Sequence, residues 1–320
     1  MAKPTVVFLD RATIPEQIVV PSISCEHNWR EYDFTRPDQT LDRSQDAQVL
    51  ITNKVVLDKA ILSQLPDLKL IAVSATGFNN VDIDYCREHG IAVANIQGYA
   101  TKSVPEHVIA MMFALRRNLR GYHQDIMAGE WQRNNQFCFF THPIGDIAGS
   151  TLGIIGGGVL GQSLALVAKA LGMNVLFAEH KDKTECRSGY VPFEQVLAEA
   201  DVVSLNCPLS EQTRNLIDKP ELALMKSSAI LINAGRGGLV EESALVDALK
   251  SGEIAGAGVD VFTQEPADKS NPLIANADLP NLILTPHVAW GSDSAITRLA
   301  EILIENIDAF LQGKEQNRVV

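Results

Sequence analysis

The chain is 320 residues long, room enough for two domains, and 46% of it is hydrophobic, enough to fill their cores. Its 27 basic and 39 acidic side chains leave a formal charge of −12, which argues against nucleic acid or an anionic membrane as partner. The five cysteines (25, 86, 138, 186, 207) are scattered, odd in number and without C-x-x-C spacing, so neither a disulfide framework nor a zinc site is expected, and a cytoplasmic, reducing setting suits the chain.

Met-Ala-Lys-Pro leads straight into the apolar run 5–9, which reads as a first core strand rather than a signal peptide. Further strands are predicted at 49–52, 69–74 and 91–95, with helical patterns at 58–64 and 81–89 between them. A long amphipathic helix is predicted over 103–118. The longest uninterrupted apolar run, 108–115, falls inside it and is far short of the ~20 residues a membrane span needs. Beyond it, Phe137-Cys-Phe-Phe-Thr-His-Pro is unusually aromatic for a connection, and is expected to be an arm that, together with the 103–118 helix, packs on another subunit of a homodimer.

A second alternation begins at Thr151. Strands are predicted at 151–155, 174–178, 202–206, 229–233, 256–261 and 282–285, and a helix at 293–311 closes the chain. Alternating strands and helices imply two doubly wound α/β domains with parallel sheets. The run Thr151-Leu-Gly-Ile-Ile ends in glycines 156, 158 and 161, and the residues after Val159 and Leu160 continue as a helix. Alone, G-x-G-x-x-G describes any tight strand-to-helix turn. Between two strands it describes a dinucleotide site, with Gly156 for the turn, Gly158 for backbone approach to a pyrophosphate, and Gly161 for helix–strand packing. The helix N-terminus then offers N–H groups to the phosphates. Glu179 ends the next strand about twenty residues on, where a carboxylate accepts the ribose hydroxyls of NAD. Its charge predicts a preference for NADH over NADPH, partly offset by His180 and Lys181.

Three residues sit just beyond predicted strand ends, where open α/β sheets bind ligands: Arg236, Glu265 and His287. A guanidinium holds a carboxylate bidentately and polarises a carbonyl. An imidazole titrates near neutrality and exchanges the proton that accompanies hydride transfer. A carboxylate beside it orients the ring and stabilises its positive charge. Singly, each is as well explained as a solvated arginine, a cap and a structural histidine. Together, in order behind a nucleotide fold, they read as catalytic.

Over nearly its whole length the sequence resembles the D-isomer-specific 2-hydroxyacid dehydrogenase family. The matching motifs are the 156–161 loop, Asn233-Ala-Gly-Arg-Gly-Gly-Leu-Val-Glu-Glu, Gly258-Val-Asp-Val-Phe-Thr-Gln-Glu-Pro and Thr285-Pro-His. Within the family, Ala75-Thr-Gly-Phe-Asn-Asn-Val-Asp, Gly98-Tyr-Ala-Thr-Lys-Ser-Val-Pro-Glu-His and Pro286-His-Val-Ala-Trp look most like the glycerate dehydrogenases, also called hydroxypyruvate reductases. The resemblance implies catalysis by Arg236, Glu265 and His287. It implies NAD contacts at Gly156, Gly158, Val159, Leu160, Gly161, Glu179, Cys207, Pro208, Thr213, Ala234 and Asp260, although the family usually has Asp where this chain has Glu179. It implies substrate contacts at Ala75, Thr76, Gly77 and Arg236, with no metal.

It further implies a Rossmann nucleotide domain (101–287) inserted in a flavodoxin-like substrate domain (1–100 and 288–320), with substrate in the cleft between them. The implied activity is NADH-dependent reduction of a small anionic 2-keto acid, hydroxypyruvate to D-glycerate first, by a homodimer. A D-lactate-type dehydrogenase and a non-enzymatic NAD(H)-sensing protein are the alternatives.

Overall fold

The computed structural model describes residues 3–183 and 185–320. It divides into two compact units: the chain up to Tyr99 together with Gly291–Val320, and Ala100–Trp290.

In the first unit, β1 (Thr5–Phe8), β2 (Asn28–Glu31), β3 (Val49–Thr52), β4 (Leu70–Val73) and β5 (Ala92–Ala94) form one parallel sheet in the order β2-β1-β3-β4-β5. This is the flavodoxin-like order. β3 and β4 are buried at every position, so they read as unbroken apolar runs rather than alternating ones. Side chains such as Leu50, Ile71 and Val93, all at 0% exposure, each contribute about 1.5–3 kcal/mol by leaving water. β2 is different. Asn-Trp-Arg-Glu is polar and half exposed because it lies at the sheet edge, paired only with β1. Two of its helices start on aspartates: Asp58 accepts from Ile61 N at 3.0 Å and Asp82 from Tyr85 N at 2.9 Å. The closing helix Asp293–Leu311 packs over β4, and the chain end then returns to β5, where Val319 N donates to Val93 O at 2.7 Å.

In the second unit, β6 (Thr151–Ile155), β7 (Asn174–Ala178), β8 (Tyr190–Val191), β9 (Val202–Leu205), β10 (Ile230–Asn233), β11 (Gly256–Val259) and β12 (Leu282–Leu284) run parallel in the order β12-β11-β10-β9-β6-β7-β8. The order reverses between β6 and β9, and this is the switch point where doubly wound sheets bind nucleotides. The helix Ser103–Arg116 lies against β10, β11 and the helix Val159–Ala170. Its Val108, Met111 and Met112 are buried there. Gly258 of β11 makes the room, since a β-carbon on it would stand 2.8 Å from Met111 Sδ. The face of this helix that carries these residues is therefore spent inside its own unit. No helix among the described residues is long and apolar enough to cross a membrane.

Candidate active site

The glycine loop fills the turn after β6 as its spacing demands. Gly156 has φ +104°, and a β-carbon there would meet Cys207 N at 2.5 Å. Gly161 packs on Gly156 O, which its β-carbon would approach to 2.1 Å. Gly158 faces open space and N-caps the helix Val159–Ala170 without a side-chain cap. Uncapped N–H groups with a partial positive charge, beside backbone that nothing covers, fit a dinucleotide pyrophosphate. Val159 is exposed in the first turn and Leu160 half-buried. Across the switch point, Cys207 follows β9 half-buried, and burial pushes its thiol up to about 11, so it stays protonated. The Thr213 hydroxyl donates to Pro208 O at 2.8 Å and accepts from Ser210 N at 2.7 Å, closing the turn after Cys207. Ala234 is half-buried directly after β10.

Glu179 follows β7 and is 3% exposed. Its carboxylate is already occupied. Arg187 Nε and Nη2 reach it at 2.8 Å each, and the N–H groups of Arg187 and His180 donate at 2.9 and 2.8 Å. Above all the Arg187 guanidinium, and then the two backbone donors, hold this carboxyl down at about 2. Lys181 is turned to Glu221, 2.8 Å away.

The catalytic candidates stand after β10, β11 and β12, three adjacent strands whose order in the sheet follows the chain. His287 Nδ1 lies 2.7 Å from Glu265 Oε2. A carboxylate only accepts, so Nδ1 carries the proton, and Nε2 is the nitrogen left for a reacting group. The other oxygen, Glu265 Oε1, accepts from Phe262 N at 2.9 Å, which fixes the carboxylate to its own loop. The His287 backbone is left-handed, φ +55°, a conformation costing roughly 1–3 kcal/mol in a non-glycine residue.

Asp260, fully buried, holds that loop in place. Its Oδ1 accepts from Thr285 Oγ1 at 2.5 Å and Val288 N at 2.9 Å, and its Oδ2 from Ala289 N at 2.9 Å. Its carbonyl accepts from His287 N at 2.7 Å. Asp260 thus anchors the loop that carries the histidine. Arg236 is half-buried in the turn after β10, with Nη1 donating to Gly235 O at 2.7 Å. Gly237 brings this turn against the β11 loop, because a β-carbon on it would fall 1.8 Å from Phe262 O.

Three residues enter to which the sequence reading assigned no role. His107 Nε2 meets Thr285 Oγ1 at 3.0 Å, and Ser103 Oγ donates to Trp290 O at 3.1 Å. Ser103 and His107 are four apart, on one helix face, and that polar pair within an apolar helix is the signal that would have found them. Arg187 is the third, and carries no motif at all.

In the first unit, Ala75, Thr76 and Gly77 form the turn after β4. Thr76 Oγ1 donates to Ile96 O at 2.7 Å, Asn95 Nδ2 donates to Thr76 O at 2.8 Å, and Ile96 N to Ala75 O at 3.0 Å. The carbonyl side of the turn is thereby tied down. Among the described residues its three N–H groups meet no acceptor. No cluster of residues suited to a metal ion occurs among the described residues.

A Rossmann sheet with this glycine loop, and a Glu–His pair beyond the carboxyl ends of its strands, defines a dinucleotide-dependent dehydrogenase. Residues 109–289 match the model of the D-isomer specific 2-hydroxyacid dehydrogenase NAD binding domain. The chain is 49% identical to a glycerate dehydrogenase of Methylorubrum extorquens over 315 residues, 98% of each chain. It is 36% identical to a hydroxypyruvate reductase of Blautia hydrogenotrophica, over 89% of each. A D-lactate dehydrogenase of Aquifex aeolicus, solved with NAD and lactic acid, superposes with a TM-score of 0.80 at 28% identity over 96% of both chains. The protein belongs to the D-isomer-specific 2-hydroxyacid dehydrogenase family, and its cofactor is NAD.

Proposed function

We propose that this protein reduces a small 2-keto acid to the D-2-hydroxy acid, with hydroxypyruvate as its preferred substrate and D-glycerate as product. The observation that carries the reading is the His287–Glu265 contact of 2.7 Å at the ends of neighbouring strands. When bound, the nicotinamide cofactor supplies the hydride to the carbonyl carbon. Arg236 binds the substrate carboxylate and polarises the keto group. His287, protonated, donates from Nε2 to the carbonyl oxygen as it becomes a hydroxyl. Glu265 fixes the ring and balances its positive charge. The Ala75–Gly77 turn offers N–H groups suited to a carboxylate. The identities to a glycerate dehydrogenase and a hydroxypyruvate reductase favour hydroxypyruvate over the D-lactate-type reading.

We also propose a cytoplasmic homodimer. The five cysteines are free thiols, as a reducing compartment requires. Leu119, Ile126, Met127, Trp131, Phe137 and Phe140 are all exposed along the segment that follows the long helix, from 45% at Trp131 to 90% at Phe137, and a second subunit would take such side chains out of water. Light scattering at micromolar concentration should give twice the chain mass. For the activity, NADH oxidation is followed with hydroxypyruvate, glyoxylate and pyruvate. Hydroxypyruvate should give the highest kcat/KM. Pyruvate ahead of it would favour the D-lactate-type reading, and NADH binding without any turnover would favour the sensing protein.

A further inference from the structure

The residue that ends the second Rossmann strand reads the ribose through its carboxylate, and here that carboxylate has no capacity to spare. An ionised carboxylate offers about four lone-pair sites. Oε1 of Glu179 takes His180 N at 2.8 Å, Arg187 Nη2 at 2.8 Å and Arg187 Nε at 3.1 Å, and Oε2 takes Arg187 Nε at 2.8 Å and Arg187 N at 2.9 Å. The arginine is itself held in place. Its guanidinium carbon stands 4.0 Å from the centre of the Tyr190 ring, and the Tyr190 hydroxyl lies over Gly157, where a β-carbon would approach it to 2.1 Å. Arg187 is therefore fastened beside the glycine loop by its backbone, its ion pair and an aromatic face.

What remains exposed is positive. The Arg187 side chain is 55% exposed, and its Nη1 meets no acceptor among the described residues. Glu179, His180, Lys183, Glu185 and Arg187 line a cavity of about 440 Å³. In it the charge of Glu179 is cancelled by Arg187, and Lys183 and Glu185 carry one charge of each sign. The repulsion expected between a bare Glu179 and a 2′-phosphate is removed, and a planar donor fork stands in its place.

We propose that Arg187 sets the cofactor choice of this enzyme: by covering Glu179 it opens the adenosine-ribose end of the site to a 2′-phosphate, so that the protein binds NADPH as well as NADH. The inference rests on the dinucleotide site of the proposed reductase, and only on that part of it.

The test is equilibrium binding without keto acid. The full-length protein is titrated with NADH and with NADPH by quenching of intrinsic fluorescence, at low and at high salt. Wild type should bind the two with Kd values within about tenfold, and NADPH should weaken more with salt, as a charge-assisted contact does. Arg187→Gln uncovers Glu179 and removes the phosphate donor. It should weaken NADPH by about 10–150-fold, the worth of a hydrogen bond to a charged group, and leave NADH equal or tighter. Arg187→Lys keeps the charge without the fork, and should fall between. This variant and the wild-type ratio carry the test if Arg187→Gln does not fold.

Wild type binding NADPH more than about a hundredfold more weakly than NADH, or a nucleotide ratio unchanged in both variants, overturns the proposal. Failure to bind either nucleotide overturns it together with the dinucleotide reading. Binding of both nucleotides without reduction of any keto acid would leave this inference standing and sink the proposed reaction instead.

Discussion

Gly237→Ala tests whether the turn bearing Arg236 and the loop bearing Glu265 work as one packed unit. The β-carbon would stand 1.8 Å from Phe262 O, 2.1 Å from Phe262 C and 2.7 Å from Thr263 N, all backbone atoms that no rotamer change can move. Real β-carbons do not come within 3.0 Å, so the two loops must part by about 1.2 Å. Displacement of a catalytic group by about 1 Å costs on the order of 10²-fold in rate, and overpacking costs about 1–3 kcal/mol of stability. The variant should therefore lose about 10²-fold in kcat/KM for hydroxypyruvate and melt several degrees lower, at roughly 2–4 °C per kcal/mol for a unit of this size. NADH affinity should hold within a few-fold, because the glycine loop follows β6 and not β10. Gly252→Ala is the control. Gly252 has φ +74° at a helix end with nothing within 4 Å of a β-carbon, so it should lose stability without losing kcat/KM. Wild-type kcat/KM in Gly237→Ala, or a loss confined to NADH binding, would refute the reasoning.

His287→Ala should lower kcat on the order of 10²–10⁴-fold with NADH binding nearly intact, and Arg236→Ala should do the same while also raising KM for the keto acid. Loss of NADH binding in either would move that residue to the cofactor side. Asp260→Asn turns one acceptor of the His287 loop into a donor facing a donor, at about 1.5–3 kcal/mol for a hydrogen bond to a charged group. It should lower the melting temperature and kcat together, and a change in NADH Kd alone would instead make Asp260 a direct cofactor contact. Glu179, held at about 2 against an ordinary 4.5, contributes stability that is complete above 4.5 and lost as pH falls toward 2. The melting difference between wild type and Glu179→Gln should thus be constant above pH ~5 and shrink below it, and a difference unchanged down to pH ~3 would rule the ion pair out as its source.

What could be read from the sequence, and what could not, divides along a physical line. The buried strands announced themselves because a parallel strand covered on both faces must be apolar throughout, as Val49–Thr52 and Leu70–Val73 are. β2 and β8 did not. They are edge strands, four and two residues long, with no fully buried face to mark them. The candidate catalytic residues could be found because each occupies the same place in a repeated unit, the first turns after a strand. β10, β11 and β12 are moreover adjacent in the sheet in the order they occur in the chain, so three separate motifs end side by side.

Contacts that cross the repeat have no such signature. Arg187 reaches Glu179 from the connection between β7 and β8, which has no period and no fixed length. His107 reaches Thr285 from a helix 178 residues away in sequence. For this site the difference has a consequence. The sequence shows a carboxylate at the end of β7 and predicts what a carboxylate does. The fold brings a guanidinium onto it, and a carboxylate paired with a guanidinium presents to a ligand the opposite end of the pair. The side chain that decides which nucleotide enters need not be the one the fingerprint names, but the one that has already claimed it.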